Sequence, residues 1–126
     1  MAKSEAAIQA EIRLAASEKG WRLFRNNVGV AVDQRGIPVR YGLANESKQM
    51  NENIKSSDLI GIRPVVIQPE HVGKVIGQFV AIEVKHEDWV EGGDAHTVAQ
   101  RRFMDIINNL GGHACFVTDK EVIGGG

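Results

Sequence analysis

An acid and a base, Glu83 and Lys85, stand two residues apart near the end of an apolar run that begins at Phe79. Side chains alternate between the two faces of a β-strand, so both would point to the same side. Burying either charge without a partner costs on the order of several kcal/mol. A divalent cation on the carboxylate and a phosphate beside the ammonium would offset this cost. An exposed strand with an ordinary ion pair explains the same pattern, so this stretch alone leaves both interpretations open.

A second acid, Asp58, opens another apolar run, which reaches Ile62 and continues through residues 65–67. We predict that this strand and a strand over residues 75–86 form an antiparallel hairpin. In such a pair, the start of one strand lies beside the end of the next. Asp58 would then lie next to Glu83, with Lys85 alongside. Two carboxylates and a lysine in one place are a sharper signal than any one of them.

Two amphipathic helices are expected to position these strands. The first covers residues 4–19, with Ser4 as its N-cap and Gly20 at its C-terminal end. Its inward-facing stripe is expected at Ile8, Ile12, Ala15 and Ala16. Glu5 lies at a helical spacing from this stripe and would face inward. Equally, it would face water and compensate the positive end of the helix dipole.

The second helix is predicted over residues 94–110, capped by Asp94 and followed by a strand over residues 113–117. Its core face is expected at Val98, Phe103, Ile106, Ile107 and Leu110. A helix between two strands allows a parallel crossover. With a first strand at residues 21–25, the elements predict an α/β domain with a mixed sheet flanked by helices.

Residues 28–41 are expected to form a hairpin that turns at residues 33–36, with Gly36 in the left-handed conformation. It carries Arg35, Arg40 and Tyr41, a set that would track a nucleic-acid backbone and stack on a base. An ordinary solvated hairpin would have the same composition. The polar segment over residues 42–57 is predicted to be a loop or a short helix.

The length, composition and charge of the chain restrict the fold and the class of function that it can have. The chain has 126 residues, 43% hydrophobic and 25% charged, which fits one globular domain. One cysteine excludes an internal disulfide and fits a reducing, cytoplasmic setting. The net charge is −1, with nine Lys and Arg against six Asp and Glu in residues 1–55, and six against ten in residues 56–126. Metal ligands in the acidic half and phosphate contacts in the basic half would suit a metal-dependent nuclease, although chance unevenness would also produce this division.

The ordered set of motifs resembles the VRR-NUC family of virus-type replication-repair nucleases, within the PD-(D/E)xK nuclease superfamily. The resemblance covers nearly the whole chain. It rests on Ser4-Glu5, Arg25-Asn26-Asn27, Ser57-Asp58-Leu59-Ile60-Gly61, Ala81-Ile82-Glu83-Val84-Lys85 and Gln100-x-x-Phe103. One departure is the serine at position 57, where the superfamily name has proline.

The resemblance implies a restriction-endonuclease-like αβββαβ core over residues 1–126, with residues 28–57 inserted as the hairpin and polar segment. It also implies an Mg²⁺- or Mn²⁺-dependent DNA endonuclease. Branched DNA such as a Holliday junction would be the substrate, in DNA replication or repair in a phage or bacterial cytosol. Small relatives of this kind act as homodimers, so a homodimer without membrane attachment is expected.

The resemblance further implies residue roles. The metal ligands would be Asp58, Glu83 and the backbone carbonyl of Val84, with Glu5 assisting. Lys85 would orient the attacking water or stabilise charge on the phosphate, and Gln100 would position Lys85 or the phosphate. The DNA contacts would be Arg25, Asn27, Arg35, Arg40 and Tyr41.

Two other classes of function fit parts of this pattern. A catalytically inactive DNA-binding module of the same fold would bind branched DNA with a salt-dependent affinity and would not nick it. An interaction protein would use the charged residues as a surface ion-pair network. The complete Asp58, Glu83 and Lys85 set favours the enzyme, because an inactive module has no need of all three.

Overall fold

The computed structural model describes residues 2–119, which fall into two compact units, residues 2–61 and residues 62–119. The described residues form three α-helices, a short 3-10 helix and three two-stranded sheets, with antiparallel pairing in the first unit and parallel pairing in the second. The predicted mixed α/β class is therefore confirmed. The restriction-endonuclease-like core and the single domain over residues 1–126 stay predictions. No helix among the described residues combines the length and apolar character needed to cross a membrane.

The first helix, α1 (Glu5–Glu18), begins and ends where the sequence predicts. The Ser4 hydroxyl accepts a hydrogen bond from the Ala7 N–H at 3.1 Å, and Gly20 follows the helix with φ of 81°. Of the predicted inward stripe, only Ala16 is buried, whereas Ile8 and Ile12 are 42% and 46% exposed. The stripe is incompletely covered because the N-terminal half of α1 borders an open cavity.

The predicted hairpin is confirmed. Strands β2 (Gly29–Val32) and β3 (Pro38–Tyr41) follow β1 (Arg22–Arg25) and pair antiparallel. The Asp33 carboxylate accepts hydrogen bonds from two backbone N–H groups across the turn, both at 2.9 Å, and Gly36 has φ of 80°. The polar segment that follows contains α2 (Lys48–Asn53), the short helix that was one of its two predicted forms.

Strand β4 (Leu59–Ile62) pairs with β1, and Gly61 is the residue that permits their close approach. A Cβ atom at this position would overlap the Arg22 carbonyl oxygen and lie 2.8 Å from the Leu23 Cα. We expect Gly61→Ala to lower the free energy of unfolding by about 1–3 kcal/mol, because backbone atoms cannot move aside cheaply. Urea unfolding measures this. The matched control is Gly77→Ala, where a Cβ meets nothing within 4 Å; equal stability of the two variants would contradict the close approach.

In the second unit, β5 (Val80–Val84) and β6 (His113–Val117) are parallel neighbours, joined through α3 (Ala95–Asn109). The parallel crossover is therefore confirmed, as is the N-cap, where the Asp94 carboxylate accepts from the Thr97 N–H at 3.0 Å. Hydrogen bonding from the Thr97 side chain and backbone lowers the pKa of Asp94. The carboxylate therefore stays ionised, as this cap requires, throughout the neutral range.

Of the five residues predicted for the core face of α3, Ile107 is buried, Val98, Ile106 and Leu110 are partly buried, and Phe103 is exposed. Met104 is 3% exposed and Ile107 is fully buried, while Phe103 is 39% exposed. Thr97, Met104 and Ile107 share one face of α3, and Phe103 is turned about 100° from Met104, since an α-helix has 3.6 residues per turn. The prediction of Phe103 as a core residue is wrong for this reason.

The strands around residues 63–79 are shorter than predicted. Residues 65–67 form no strand, and β5 begins at Val80 instead of residue 75. Two prolines at positions 64 and 69 remove backbone donors here, and the second opens the 3-10 helix Pro69–His71. The antiparallel hairpin expected between β4 and β5 is not found among the described strands, where β4 pairs with β1 and β5 pairs with β6.

Candidate functional site

The second unit brings three of the predicted site residues together. The Gln100 side-chain amide donates a hydrogen bond to Glu83 Oε1 at 2.7 Å, and Lys85 Nζ lies 3.9 Å from the same oxygen. Glu83, in β5, and Lys85, the first residue after it, lie on the same face of the extended chain, as strand alternation predicts. Gln100 comes from α3, 17 residues further along the chain than Glu83.

The face of β5 that carries the charges is the better covered one. Glu83 and Lys85 are partly buried, whereas the alternating apolar residues on the other face are 40% to 73% exposed: Val80, Ile82 and Val84. The hydrogen bond from Gln100 shows that α3 lies over the charged face. This arrangement is the reverse of an ordinary amphipathic strand, in which the apolar residues occupy the covered face. Here the covered face carries the ion pair.

Lys85 is the more enclosed member of the pair, with its side chain 16% exposed against 43% for Glu83. Its Nζ lies 5.4 Å from the ring centroid of Trp89 and 5.7 Å from that of Phe116. The two rings are 4.6 Å apart and tilted by 43°. An ammonium against aromatic faces gains about 0.5–2 kcal/mol per contact, depending on its desolvation. The rings therefore offset part of the lost hydration of Lys85.

Phe116 reaches this position through the sheet register, because it pairs with Glu83 across the parallel ladder. Its ring also lies 5.1 Å from the guanidinium carbon of Arg101. Arg101 in turn makes two hydrogen bonds to the carboxylate of Glu91, one of them at 2.9 Å from Nε. Glu91 and Trp89 both belong to the loop that follows β5, residues 86–93.

The Glu91 carboxylate is ionised throughout the neutral range. Hydrogen bonds from Arg101 hold the pKa of Glu91 below its ordinary value of 4.5. Because the pKa is lowered in the folded protein, the stabilisation by this pair is present above that value and is lost only as the pH falls through the lower one. The ion pair therefore persists at any pH near neutrality.

The sequence did not single out Trp89, Glu91, Arg101 or Phe116 as functional. Two signals could have found them. Arg101 directly follows the predicted site residue Gln100, and Trp89 is an aromatic residue in a short loop immediately after Lys85.

A cavity of about 360 Å³ lies beside Glu83 and Gln100. It is lined by Ala81, Ile82, Glu83, His96, Ala99, Gln100, Phe103 and Met104. Within the described residues, the buried Oε1 of Gln100 has no hydrogen-bond partner. Buried polar atoms in folded proteins are almost always hydrogen-bonded, so this oxygen is an acceptor for a further partner, either water or a ligand group.

The first unit brings Glu5 and Asp58 to one cavity of about 340 Å³. The remaining lining residues are Ile8, Gln9, Ile12, Ser57 and Leu59. Glu5 stands at the N-terminal end of α1 and Asp58 directly before β4. Glu5 lines this cavity and is also exposed to water in the first turn of α1, so it combines features of both orientations considered for it.

Asn26 holds the chain around Asp58 in place. Its backbone N–H donates to the Asp58 carbonyl at 2.8 Å. Its side-chain NH₂ donates to the Ser56 hydroxyl at 2.7 Å and to the Ser57 carbonyl at 2.9 Å. The sequence analysis named Asn26 only as part of the Arg25-Asn26-Asn27 motif. Its side-chain bonds span 30 and 31 residues, which no local pattern reveals.

The oxygen donors present suit a hard cation. Magnesium is commonly held by one or two carboxylates together with waters and substrate phosphates, and Glu5 with Asp58 meets this minimal requirement. Within residues 2–119, no three of the His, Cys, Asp and Glu side chains converge as a metal-binding group. Glu83 and the Val84 carbonyl belong to the second unit, so their sharing of one ion with Asp58 stays a prediction.

The predicted DNA-contacting residues all lie in the first unit. Arg25, Asn27, Arg35 and Tyr41 are exposed. Arg40 instead donates at 2.7 Å to the side-chain carbonyl of Asn45, which is buried and anchors the hairpin through bonds to the Gly29 and Tyr41 carbonyls. Arg40 is thus engaged in the structure of the hairpin, and the Arg35 guanidinium pairs with the Asp33 carboxylate at 3.2 Å while staying exposed.

Compared with models of known protein families, with curated proteins and with solved structures, this chain gives no match.

Proposed function

We propose that this protein is an Mg²⁺- or Mn²⁺-dependent DNA endonuclease that hydrolyses phosphodiester bonds in branched DNA during replication or repair in the cytoplasm. The observation that supports it best is the grouping of Glu83, Lys85 and Gln100. A surface ion-pair network would leave the lysine in water, whereas here Lys85 is largely enclosed and the Glu83 carboxylate accepts a hydrogen bond from the partly buried Gln100 side chain. The resemblance of the Asp58 and Glu-x-Lys motifs supports the same proposal.

Each residue has a distinct task in this proposal. The cation, when bound, supplies positive charge to the phosphate and activates water. Asp58 and Glu83 would hold it, with the Val84 carbonyl as a further oxygen and Glu5 in support. Lys85 places its ammonium against a phosphoryl oxygen and stabilises the negative charge that grows there during attack. Gln100 fixes the orientation of Glu83 through the hydrogen bond to Oε1.

The surroundings of Lys85 increase its effect on a phosphate. Charge interactions are stronger where water is excluded, and the Lys85 side chain is largely enclosed. A positioned cation of this kind needs little reorganisation when the phosphate arrives, and such preorganised charge is usually the largest catalytic term.

The decisive experiment is a cleavage panel on labelled linear, flap and four-way DNA, with Mg²⁺, Mn²⁺, Ca²⁺ or EDTA. We expect cuts in branched DNA with Mg²⁺ or Mn²⁺ and none with EDTA. Lys85→Ala should bind DNA without cutting it, and Lys74→Ala, at an exposed lysine of the same unit, should cut normally. If the folded protein binds branched DNA and cuts none under any metal, it is the inactive module instead.

The proposal includes a homodimer, because two related active sites would cut two strands of a junction symmetrically. Light scattering with a four-way junction bound should give the mass of two chains per junction. A single chain per junction would contradict the dimer and leave the cleavage proposal to the panel.

A further inference from the structure

Four residues around Lys85 form what we call the lysine clamp: Trp89, Glu91, Arg101 and Phe116. Two of them contact the lysine directly, since the rings of Trp89 and Phe116 lie within 5.4 and 5.7 Å of Nζ. The other two form an ion pair that connects the 86–93 loop to α3. All four residues lie in the second unit, as Lys85 does, so the contacts described are made within that unit.

The rings restrict where the ammonium can go. A lysine side chain has four rotatable bonds and, on a surface, loses little by changing rotamer. Lys85 would have to leave two aromatic faces and the Glu83 carboxylate to do so. The contact is therefore a constraint on position as well as a favourable energy.

The ion pair restricts the loop that carries Trp89. The bidentate geometry of Arg101 on Glu91 fixes orientation as well as distance. The guanidinium also packs on Phe116, so one side chain braces both the loop and the second ring. Consecutive residues of α3 thus act on the two charges of the Glu-x-Lys motif: Gln100 holds Glu83, and Arg101 holds the surroundings of Lys85.

We propose that the lysine clamp positions the Lys85 ammonium for its contact with the scissile phosphate. This rests on the proposed function for the role of Lys85, but not for its immobilisation. Trp89, Glu91, Arg101 and Phe116 are positioning residues, because they act through Lys85 and touch no reacting atom.

The first test measures the accessibility of Lys85 without any DNA. Reductive methylation with formaldehyde and cyanoborohydride, followed by mass spectrometry of the peptides, gives a rate for each lysine. We expect Lys85 to react more slowly than the exposed Lys74, and Trp89→Ala to raise the Lys85 rate by about 2- to 30-fold, the factor that matches a cation–π contact. Trp89→Phe, which keeps a ring, should stay near the wild-type rate.

The second test addresses the ion pair: Glu91→Gln breaks it with the ring contacts left in place, whereas Arg101→Gln also removes the guanidinium contact with Phe116. Glu91→Gln and Arg101→Gln should each raise the Lys85 methylation rate. The rate in the double variant should not exceed that of the faster single variant, because the two side chains act as a unit. The matched control is Arg102→Gln, the exposed next residue of α3, which should have no effect. Equal rates in wild type, Trp89→Ala and Arg101→Gln would overturn the clamp.

Cleavage kinetics then connect the clamp to function. We expect Trp89→Ala and Arg101→Gln to lower kcat while the KM for DNA stays close to wild type, and Trp89→Phe to recover most of the loss. Active wild-type enzyme with unchanged kcat in these variants would overturn the positioning role alone. Altered methylation in a protein that cuts no DNA would uphold the clamp and remove the nuclease assignment.

Discussion

We expect Lys85→Met and Glu83→Gln each to reduce the proposed DNA cleavage by about 10²–10³-fold or more, the loss typical of removing one preorganised charge from an active site. Methionine preserves an unbranched apolar stem against Trp89 and Phe116 while it removes the ammonium. Glutamine preserves a side-chain carbonyl for the Gln100 amide while it removes the negative charge. Both variants therefore test charge with the packing largely maintained.

The measurement is single-turnover cleavage of a labelled four-way junction, with binding followed separately by fluorescence anisotropy in Ca²⁺. Binding should persist, because neither residue belongs to the predicted DNA-contacting set of the first unit. Lys74→Met and Glu87→Gln, at exposed positions of the second unit, control for net charge. Wild-type cleavage by either purified, folded test variant would refute the assignment of its residue.

The second large effect concerns Asp58. We expect Mn²⁺ to raise the melting temperature of the wild-type protein, and Asp58→Asn to abolish this rise and to reduce the proposed cleavage by about 10²–10³-fold. A ligand that binds only the folded state stabilises it by about 2.7 kcal/mol at one hundred times its dissociation constant. Asparagine keeps the shape of the side chain and removes the charge that a hard cation requires.

Glu5 gives the matched comparison, because it lines the same cavity as Asp58 in a supporting role. Glu5→Gln should reduce the Mn²⁺-induced shift only in part. Glu18→Gln, in the last turn of the same helix, should leave it unchanged. A full Mn²⁺ response in Asp58→Asn would show that this carboxylate does not hold the ion, whatever the outcome at Glu83.

The local elements of this fold could be predicted from the sequence. Helix caps and tight turns depend on hydrogen bonds between residues only a few positions apart, so their patterns are visible without a structure. The examples here are the caps at Ser4 and Asp94, the glycine after α1 and the turn that ends at Gly36. Strand alternation likewise placed Glu83 and Lys85 on one side. The parallel crossover through α3 followed from the order of the elements.

The environment of the charged pair depended on packing between distant segments. Only the rotation of α3 against the sheet decides that Met104 is buried in place of Phe103, and that Gln100 meets Glu83. The same packing sets Arg101 between Phe116 and Glu91 and encloses Lys85. The hydrophobic periodicity and the secondary-structure propensity of a segment determine which way a side chain points from its own helix or strand. The residue that it meets there depends on the side-chain volumes and the sheet register of the whole unit.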